Sequence, residues 1–365
     1  MFHYSKVISV IIFIFMALCS TPNTYAFSLA PSSATSLPGY VRIFYYQEGK
    51  NARKSFTENL GSVDVLAPQT YSLNASGELN GSVNSDIFKL AQKNNIKVMP
   101  LVTNNGFGQA SIKAILNDSV KQDRAIAMLV LEAKKQGYWG WQVDFEQMDL
   151  SYRDAFSSFI KKLGASMKDE GLVLSVAVIA QISENPSDYP KNLWQRIIGV
   201  YDYAALSSST DFISVMSYDD PESTGPVARY SWMEKVIAHS LKYIPKEKLS
   251  LGIPLYYWKW DTARGKIVGI GGNTTLQETL KKYKVTKGYS EKEQAPFMKY
   301  KIAKKSYTIW YENAKSITKK LELITKNDLY GFSAWALGLE TAETHSAFQD
   351  GVLQTASAVS SLSLR

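Results

Sequence analysis

The residues from 137 to 146 read Gly137-Tyr138-Trp139-Gly140-Trp141-Gln142-Val143-Asp144-Phe145-Glu146. Successive side chains of a β-strand point to opposite faces, so Gln142, Asp144 and Glu146 share one face and the apolar residues between them share the other. In a barrel of parallel strands the polar set would face the interior, which places Glu146 at the C-terminal rim. Buried polar groups are costly unless they are bonded and used, so this is the candidate catalytic strand. A salt bridge to an interior lysine or arginine is the alternative.

Seven other short runs of apolar and β-branched residues also predict strands. The eight predicted strands are Val41–Tyr46, Ser62–Ala67, Lys97–Val102, Gly140–Glu146, Val173–Val178, Phe212–Tyr218, Leu249–Ile253 and Tyr330–Trp335. Amphipathic patterns predict helices at Asp86–Asn95 (with Ser85 as N-cap), Asp123–Gln136, Tyr152–Lys168, Tyr230–Tyr243 and Asn313–Lys326. Alternating strands and helices imply parallel pairing, and eight strands predict an α/β fold, the TIM (β/α)8 barrel. A doubly wound sheet would require a glycine-rich turn after the first strand, and Tyr45–Gly49 is not one.

The seventh and eighth predicted strands are separated by about 75 residues, more than an ordinary crossover requires. The stretch from Trp258 to Thr308 contains Thr, Tyr and Lys in β-like runs. We therefore expect a small α+β insertion at about residues 258–310, within a barrel domain of residues 27–349. Residues 350–365 are rich in Ser and Ala and are expected to form a loose tail.

The N-terminus has the pattern of a secretory signal peptide. Lys6 precedes the almost wholly apolar run Val7–Leu18, which is shorter than the roughly 20 residues that span a bilayer. Thr24 and Ala26 supply small residues for a cleavage site after Ala26. We expect residues 1–26 to be removed and the protein to be secreted, periplasmic or associated with the cell wall. An uncleaved signal anchor is the alternative, and no later run is long enough to predict a stable membrane span.

The composition is that of a globular protein. Of 365 residues, 45% are hydrophobic and 20% are charged, which excludes a disordered, collagen-like or coiled-coil chain. Three His and one Cys argue against a His/Cys metal cluster, a disulfide scaffold and a thiol nucleophile. We expect no metal and no cofactor. The formal net charge of +8 suits an acidic polymer or an anionic surface as partner.

Four stretches carry further motifs, namely Val143–Glu146, Met216–Asp219, Leu251–Tyr256 and Ser333–Gly338. These stretches resemble motifs of family 18 glycoside hydrolases. The first resembles the end of the family's D-x-x-D-x-D-x-E signature, and the second resembles the M-x-Y-D of its sixth strand. The third and fourth resemble its seventh and eighth strands. Those enzymes are TIM-barrel chitinases and related N-acetylglucosaminidases. The resemblance extends from the first predicted strand to Gln349, and it is greatest to the bacterial branch that includes spore cortex and cell-wall lytic enzymes.

The resemblance implies a substrate-assisted retaining mechanism, in which the carbonyl oxygen of the substrate's 2-acetamido group is the nucleophile. Glu146 would protonate the glycosidic oxygen and then act as base on water, and Asp144 would orient the acetamido N–H. Tyr218 would donate its hydroxyl to the acetamido oxygen, and Trp335 would pack under the sugar at the −1 position. Tyr218 and Trp335 could instead be aromatic residues of the core.

Two positions depart from the family's signature, because Trp139 and Gln142 stand where the first and the middle Asp are expected. A glutamine can donate a hydrogen bond to Asp144 but cannot take over its charge. We therefore expect Gln142 to contact Asp144 and to keep it ionised.

Seven positions are expected to bind substrate, namely Gln142, Trp335, Asp219, Met216, Tyr46, Asn104 and Tyr256. Several have structural alternatives: Asp219 could begin an Asx turn, and Asn104 could simply form a loop. Tyr46 and Tyr256 stand at predicted strand ends, where aromatic residues suit either sugar platforms or packing.

These observations together predict an exported glycoside hydrolase that cleaves β-linked N-acetylglucosamine-containing glycans. Peptidoglycan is the favoured substrate, because a positive protein suits anionic wall polymers whereas chitin is neutral. A chitinase or chitooligosaccharide hydrolase, and a glycan-binding protein without hydrolytic activity, are the alternatives. The expected partner is this polysaccharide and not a nucleic acid, and the protein is expected to be a monomer.

Overall fold

The structure of the chain is a computed structural model that describes residues 40–349. The predicted signal peptide at residues 1–26, with its cleavage after Ala26, and the predicted tail at residues 350–365 lie outside the described residues. Within residues 40–349, no helix is both long enough and apolar enough to cross a membrane.

Strands and helices are labelled in chain order. The strands are β1 Val41–Tyr46, β2 Val65–Leu73, β3 Leu79–Gly81, β4 Lys97–Val98, β5 Leu101–Asn104, β6 Gly140–Asp144, β7 Val173–Ile179, β8 Phe212–Met216, β9 Leu249–Pro254, β10 Tyr256–Asp261, β11 Lys266–Gly272, β12 Thr286–Ser290, β13 Ala295–Ile302, β14 Lys305–Trp310 and β15 Gly331–Trp335. The helices are α1 Lys50–Glu58, α2 Ser85–Lys93, α3 Gln109–Leu116, α4 Ser119–Gln136, α5 Arg153–Asp169, α6 Tyr203–Ser208, α7 Tyr230–Ser240, α8 Leu276–Lys282 and α9 Ala314–Lys326. Residues 342–349 are also helical.

Parallel strands at eight positions close into a barrel. Their hydrogen-bonded order is β1-β2-β5-β6-β7-β8-β9-β15, and β15 pairs with β1 to complete the circle. The short strand β4 also pairs with β2 and extends the third position. The predicted TIM (β/α)8 barrel is thus confirmed.

The barrel strands differ from the predicted ones mainly at their ends. A single 3₁₀ turn at Leu60–Ser62 delays the start of β2. The third strand divides into β4 and β5, because Pro100 has no N–H to donate to a ladder. The fourth strand, β6, ends at Asp144, so Glu146 follows the strand and is not part of it.

The helices differ from the predicted ones in one N-cap, and several short helices were not predicted. The N-cap of α2 is Asn84 and not Ser85, because the Asn84 side chain accepts hydrogen bonds from two backbone N–H groups of the first turn. Helix α1 was not predicted, since it has no side-chain cap and buries only Ala52 and Phe56. A helix with so small an apolar face gives little periodic signal in the sequence.

The strands bury side chains on both faces of the barrel wall. Along β6, Trp141 and Val143 point outward, and Phe145 continues this face and packs near Phe156 and Phe159 of α5. This confirms the predicted alternation. The opposite face looks into the barrel, where a smaller apolar cluster comprises Ile43, Tyr45, Val65, Ala67, Met99, Leu101, Phe212 and Ala336.

A second sheet lies in the chain between β9 and β15. It is antiparallel, and its strand order is β11-β10-β14-β13-β12. Leu276 of α8 packs on one face of this sheet with Met298 and Ile309. Trp258 and Trp260 of β10 belong to a different apolar cluster, which also includes residues at the C-terminal end of the barrel.

Candidate active site

A cavity of about 180 Å³ lies at the C-terminal ends of the barrel strands. Its lining residues are Tyr45, Leu101, Asp144, Glu146, Ala177, Met216, Tyr218, Asp219, Tyr256 and Trp335. This is the end at which TIM barrels carry their active sites, because the loops there come from different strands and converge.

The fold brings together seven of the predicted site residues around this cavity. They are Asp144, Glu146, Met216, Tyr218, Asp219, Tyr256 and Trp335. The other three, Gln142, Tyr46 and Asn104, are buried and do not line it.

Tyr46 lies on the outer face of β1, which corrects its predicted contact with substrate. Its ring packs near Phe56 of α1. Tyr45 lines the cavity instead, and its ring centroid is 5.1 Å from that of Trp335. Both tyrosines are buried, and the end of β1 is apolar on both faces. The charged residue of this strand, Arg42, shares a face with Tyr46, so strict alternation from Arg42 is the signal that would have placed Tyr46 outward and Tyr45 inward.

Gln142 does not donate a hydrogen bond to Asp144, which corrects the prediction that these two side chains are in contact. Its Nε2 donates to Ser175 Oγ at 3.0 Å and to Ser214 Oγ at 2.8 Å. Ser214 Oγ is 2.9 Å from Ser333 Oγ. The amide is therefore part of a hydroxyl network inside the barrel that joins β6 to β7, β8 and β15.

Asn104, which was predicted to bind substrate, does not line the cavity and instead holds the backbone of Glu146. Its Nδ2 donates to the Glu146 carbonyl at 3.0 Å, and its Oδ1 accepts from the Glu146 N–H at 2.9 Å. The Tyr201 hydroxyl donates to the Phe145 carbonyl at 2.7 Å. Because β6 ends at Asp144, side chains replace the sheet ladder in fixing the segment that carries Glu146.

Asp144 is buried, and its Oδ1 has no hydrogen-bond partner among residues 40–349. Burial raises the pKa of Asp144 well above its usual value, and the charge of Glu146 raises it further. A hydrogen bond from Gln69 lowers the pKa by less than these two effects raise it. Asp144 therefore keeps its proton near neutral pH in the free site, which corrects the expectation that it is ionised. That expectation considered the charge missing at position 142 and not the loss of hydration.

Burial also raises the pKa of Glu146, and the negative charge of Asp219 adds to this effect. The pKa of Asp219 is itself raised by burial, although the Tyr256 hydroxyl partly opposes this by donating to Asp219 Oδ1 at 2.6 Å. Among the residues that the structure describes, no lysine or arginine lines the cavity. Carboxyl groups in such surroundings retain protons near neutral pH and can supply one as a general acid.

The turn after β8 brings Tyr218 and Asp219 into the cavity. Asp219 has a positive φ of 58°, a conformation that Asp tolerates better than most residues. The next residue, Asp220, is buried, forms an ion pair with Arg229 and so anchors the turn. Burial raises the pKa of Tyr218 well above its usual value, so its hydroxyl remains available as a donor.

A second cavity of about 270 Å³ also borders the carboxyl group of Glu146. The two cavities share Glu146, Met216, Tyr218 and Asp219. The remaining lining of the second is mostly apolar and includes Ile197 and Trp232. Glu146 therefore borders both cavities, so a proton donor at this position is within reach of a group bound in either one.

The lining residues offer carboxyl and phenol oxygens but no His or Cys. Across residues 40–349, no group of three His, Cys, Asp or Glu side chains is placed to hold a metal ion.

Comparison with known proteins gives one family and several structural relatives. The family described as glycosyl hydrolases family 18 matches residues 4–340. The uncharacterized glycosylase YvbX of Bacillus subtilis is 27% identical over 316 residues, which are 84% of this chain and 90% of YvbX. A chitinase from Chromobacterium violaceum superposes with a TM-score of 0.77 at 26% identity, over 86% of this chain and 99% of the chitinase. The spore cortex-lytic enzyme SleL of Bacillus megaterium superposes with a TM-score of 0.76 at 25% identity, over 86% of this chain and 74% of SleL.

Proposed function

The chain belongs to family 18 of the glycosyl hydrolases, and from this membership we propose that it hydrolyses peptidoglycan at bonds next to N-acetylglucosamine. The proposed mechanism is retaining, with the substrate's 2-acetamido group as nucleophile, and the proposed location is outside the cytoplasm. The observation that carries the proposal is a pair of carboxyl groups, the buried Asp144 and the half-buried Glu146, in one cavity without a neutralising lysine or arginine among its described lining residues.

The proposed chemistry uses the proton that this pair retains. In the free site, burial favours the protonated form of Asp144. An acetamido N–H that donates to Asp144 would favour its carboxylate instead, because hydrogen bonding to the charged form lowers a pKa. Substrate binding would then leave the shared proton on Glu146, which protonates the departing glycosidic oxygen. Asp144 would offset the positive charge that develops on the acetamido group, and Tyr218 would hold its oxygen.

Two observations support peptidoglycan over chitin as the substrate. One structural relative is named for lysis of spore cortex, although another is named a chitinase. The net charge of +8 favours an anionic wall material over a neutral polymer. Chitin or chitooligosaccharide hydrolysis remains the second candidate function, because the chitinase is structurally as similar as the cortex-lytic enzyme.

The decisive experiment is mass spectrometry of muropeptides and of chitooligosaccharides after incubation with the purified protein. We expect new N-acetylglucosamine reducing ends from peptidoglycan and slower cleavage of chitooligosaccharides. The Glu146→Gln variant keeps the shape of the side chain without its acid, so its rate should fall on the order of 10²-fold or more. Wild-type turnover by this variant would show that Glu146 is not the acid, and faster cleavage of chitooligosaccharides would favour the second candidate.

The proposed nucleophile is tested by removing acetyl groups from the substrate. Chemical de-N-acetylation leaves an amine with no carbonyl oxygen to attack the anomeric carbon, so cleavage should collapse even if binding persists. The measurement is the number of new reducing ends from one glycan before and after the treatment. Equal cleavage of both forms would point to a nucleophile on the protein.

A further inference from the structure

The positive charge of the protein is concentrated in the second sheet and its connections. Residues 256–310 contain eleven lysines and one arginine against four acidic residues, a net charge of +8. The rest of the chain contains 29 basic and 29 acidic residues. The barrel and the remaining segments are therefore neutral overall, and the excess charge belongs to one subregion.

Within this sheet the basic residues gather at one end. Strand β10 leaves the barrel and ends at Asp261, β11 begins at Lys266, α8 ends at Lys282, β13 ends at Ile302, and β14 begins at Lys305. Because neighbouring strands are antiparallel, the strand termini among these lie at one end of the sheet. The opposite end carries Tyr256 and Trp310, where the chain enters the sheet from the barrel and leaves it again. The ten basic residues in this half are called the distal rim, and they are Arg264, Lys266, Lys281, Lys282, Lys284, Lys287, Lys299, Lys301, Lys304 and Lys305.

The side chains of the distal rim are exposed and largely without acidic partners. Arg264 pairs with Asp261, the one acidic residue in this half of the sheet. In the described part of the chain, none of the nine rim lysines forms a salt bridge with a carboxylate. The other acidic residues of the insertion, Glu278, Glu291 and Glu293, lie toward the barrel end. Clustered like charges repel one another, so this arrangement opposes folding unless an anionic partner is bound.

The surroundings of the rim distinguish between kinds of anionic partner. The aromatic rings near the rim pack against one another, because Tyr283 stacks on Tyr300 and Tyr307 packs against Tyr300 as well. Single-stranded nucleic acids are held by free aromatic platforms, which this surface lacks among the described residues. Four apolar side chains of this sheet are exposed, namely Ile267, Val268 and Ile270 on β11 and Ile302 on β13, which lies two strands away. They are aliphatic residues of β-strands and do not form the apolar face of an amphipathic helix with Trp, Phe or Leu, which is the usual element that lies in a bilayer interface.

We propose that the distal rim binds a linear polymer with repeating phosphodiester groups, and so docks the enzyme beside its substrate through contacts separate from the catalytic cavity. Lysines act as point charges that need no fixed ligand geometry, which suits a flexible polyanion better than a single shaped anion. The rim residues do not line either cavity at Glu146. The proposal therefore concerns a surface beyond the hydrolytic site.

The test compares two variants that lose the same charge at different places. The rim variant is Lys281→Gln, Lys284→Gln, Lys301→Gln and Lys304→Gln. The control variant is Lys89→Gln, Lys93→Gln, Lys113→Gln and Lys135→Gln, which changes exposed lysines of the barrel helices. Binding to poly(glycerol phosphate) is measured as a function of salt, and turnover of a soluble chitooligosaccharide is measured as a check of folding.

We expect the rim variant to bind at least about tenfold more weakly at low salt. The slope of log K against log salt should fall by roughly 0.7 for each lysine that contacts the polymer. The control variant should bind like the wild type, and both should retain turnover. If both variants bound the polymer equally weakly, net charge alone would be responsible. If the wild type bound anionic phospholipid vesicles but not the polymer, the partner would be a membrane surface instead. Either result, or no binding by the wild type, overturns the proposal without bearing on hydrolysis.

Discussion

Asp219, which follows β8, is the charged residue that acts on the pKa of Glu146. Its negative charge raises the pKa of Glu146, and burial acts in the same direction. Tyr256 holds Asp219 in place through a hydrogen bond of 2.6 Å. Proton retention on the acid is thus set by a neighbour that follows a different strand, and not by the signature strand alone.

Replacing Asp219 by Asn should shift the pH dependence of kcat/KM. The amide keeps the shape, still accepts from Tyr256 and tolerates a positive φ, but it carries no charge. Loss of that charge lowers the pKa of Glu146, so the alkaline limb of the profile should move to lower pH. The profile is measured with a soluble substrate, and Asp123→Asn, an exposed change on α4, serves as control. A shift to higher pH would contradict this account of the Glu146 pKa.

Single residues also show which part of the site was predictable. Asp144 and Glu146 could be assigned to the cavity because their strand alternates between polar and apolar residues, and this alternation fixes the inward face. The choice between Tyr45 and Tyr46 was missed, because the end of that strand is apolar on both faces and its one charged residue, Arg42, lies four positions before Tyr46. The protonation of Asp144 was also missed, since it depends on burial by residues distant in sequence.

At the scale of elements, the segment after β6 is held by its neighbours rather than by the sheet. Asn104, at the end of β5, forms two hydrogen bonds with the backbone of Glu146. Tyr201 bonds to the preceding carbonyl from the other side. Asn104 is therefore a positioning residue for the acid, and its effect should appear in turnover more than in binding.

The Asn104→Ala variant should lower kcat by roughly 10- to 100-fold, because a displacement of about 1 Å at a reacting group can have an effect of this size. KM should change much less, since Asn104 does not line the cavity. Asn105→Ala changes the exposed neighbour and serves as the matched control. A rise in KM at constant kcat would show that Asn104 contacts substrate, as the sequence first suggested.

The barrel strands were more predictable than the elements that connect them. Each strand is a short buried run with its own composition, and eight such runs between amphipathic helices leave few possible folds. The division of the third strand at Pro100 and the end of β6 before Glu146 depend on hydrogen bonds to adjacent strands. Those bonds join residues far apart in the chain, so the local pattern does not reveal where a strand ends.

At the scale of the whole molecule, the candidate active site opposes the stability of the barrel that contains it. Asp144 is buried near the hydroxyl network of the barrel interior, and its Oδ1 lacks a partner among the described residues. A carboxyl group whose pKa is raised by folding lowers the free energy of unfolding at pH values above its unfolded-state pKa. The proposed function requires this group, so its cost must be offset by packing elsewhere.

The Asp144→Asn variant should separate this cost from the activity. Wild-type stability should fall as pH rises from the unfolded-state pKa, near 3.8, through the raised pKa of folded Asp144. An amide cannot ionise, so the free energy of unfolding of the variant relative to the wild type should grow over this window, by about 1.4 kcal/mol for each pH unit that the window spans. Hydrolysis should be lost. The measurement is urea unfolding at several pH values between about 4 and 9, where carboxyl groups with raised pKa values titrate.

The slope with pH, and not the absolute difference, carries this test. An Asn side chain brings an N–H group that finds no partner where Oδ1 stood, which lowers the stability of the variant equally at every pH. The exposed change Asp123→Asn is measured over the same pH range as the control for a charge removed at the surface. If the difference for Asp144→Asn were constant, Asp144 would have the same pKa in the folded and unfolded states, and the proton that we assign to the Asp144–Glu146 pair would have to come from another group.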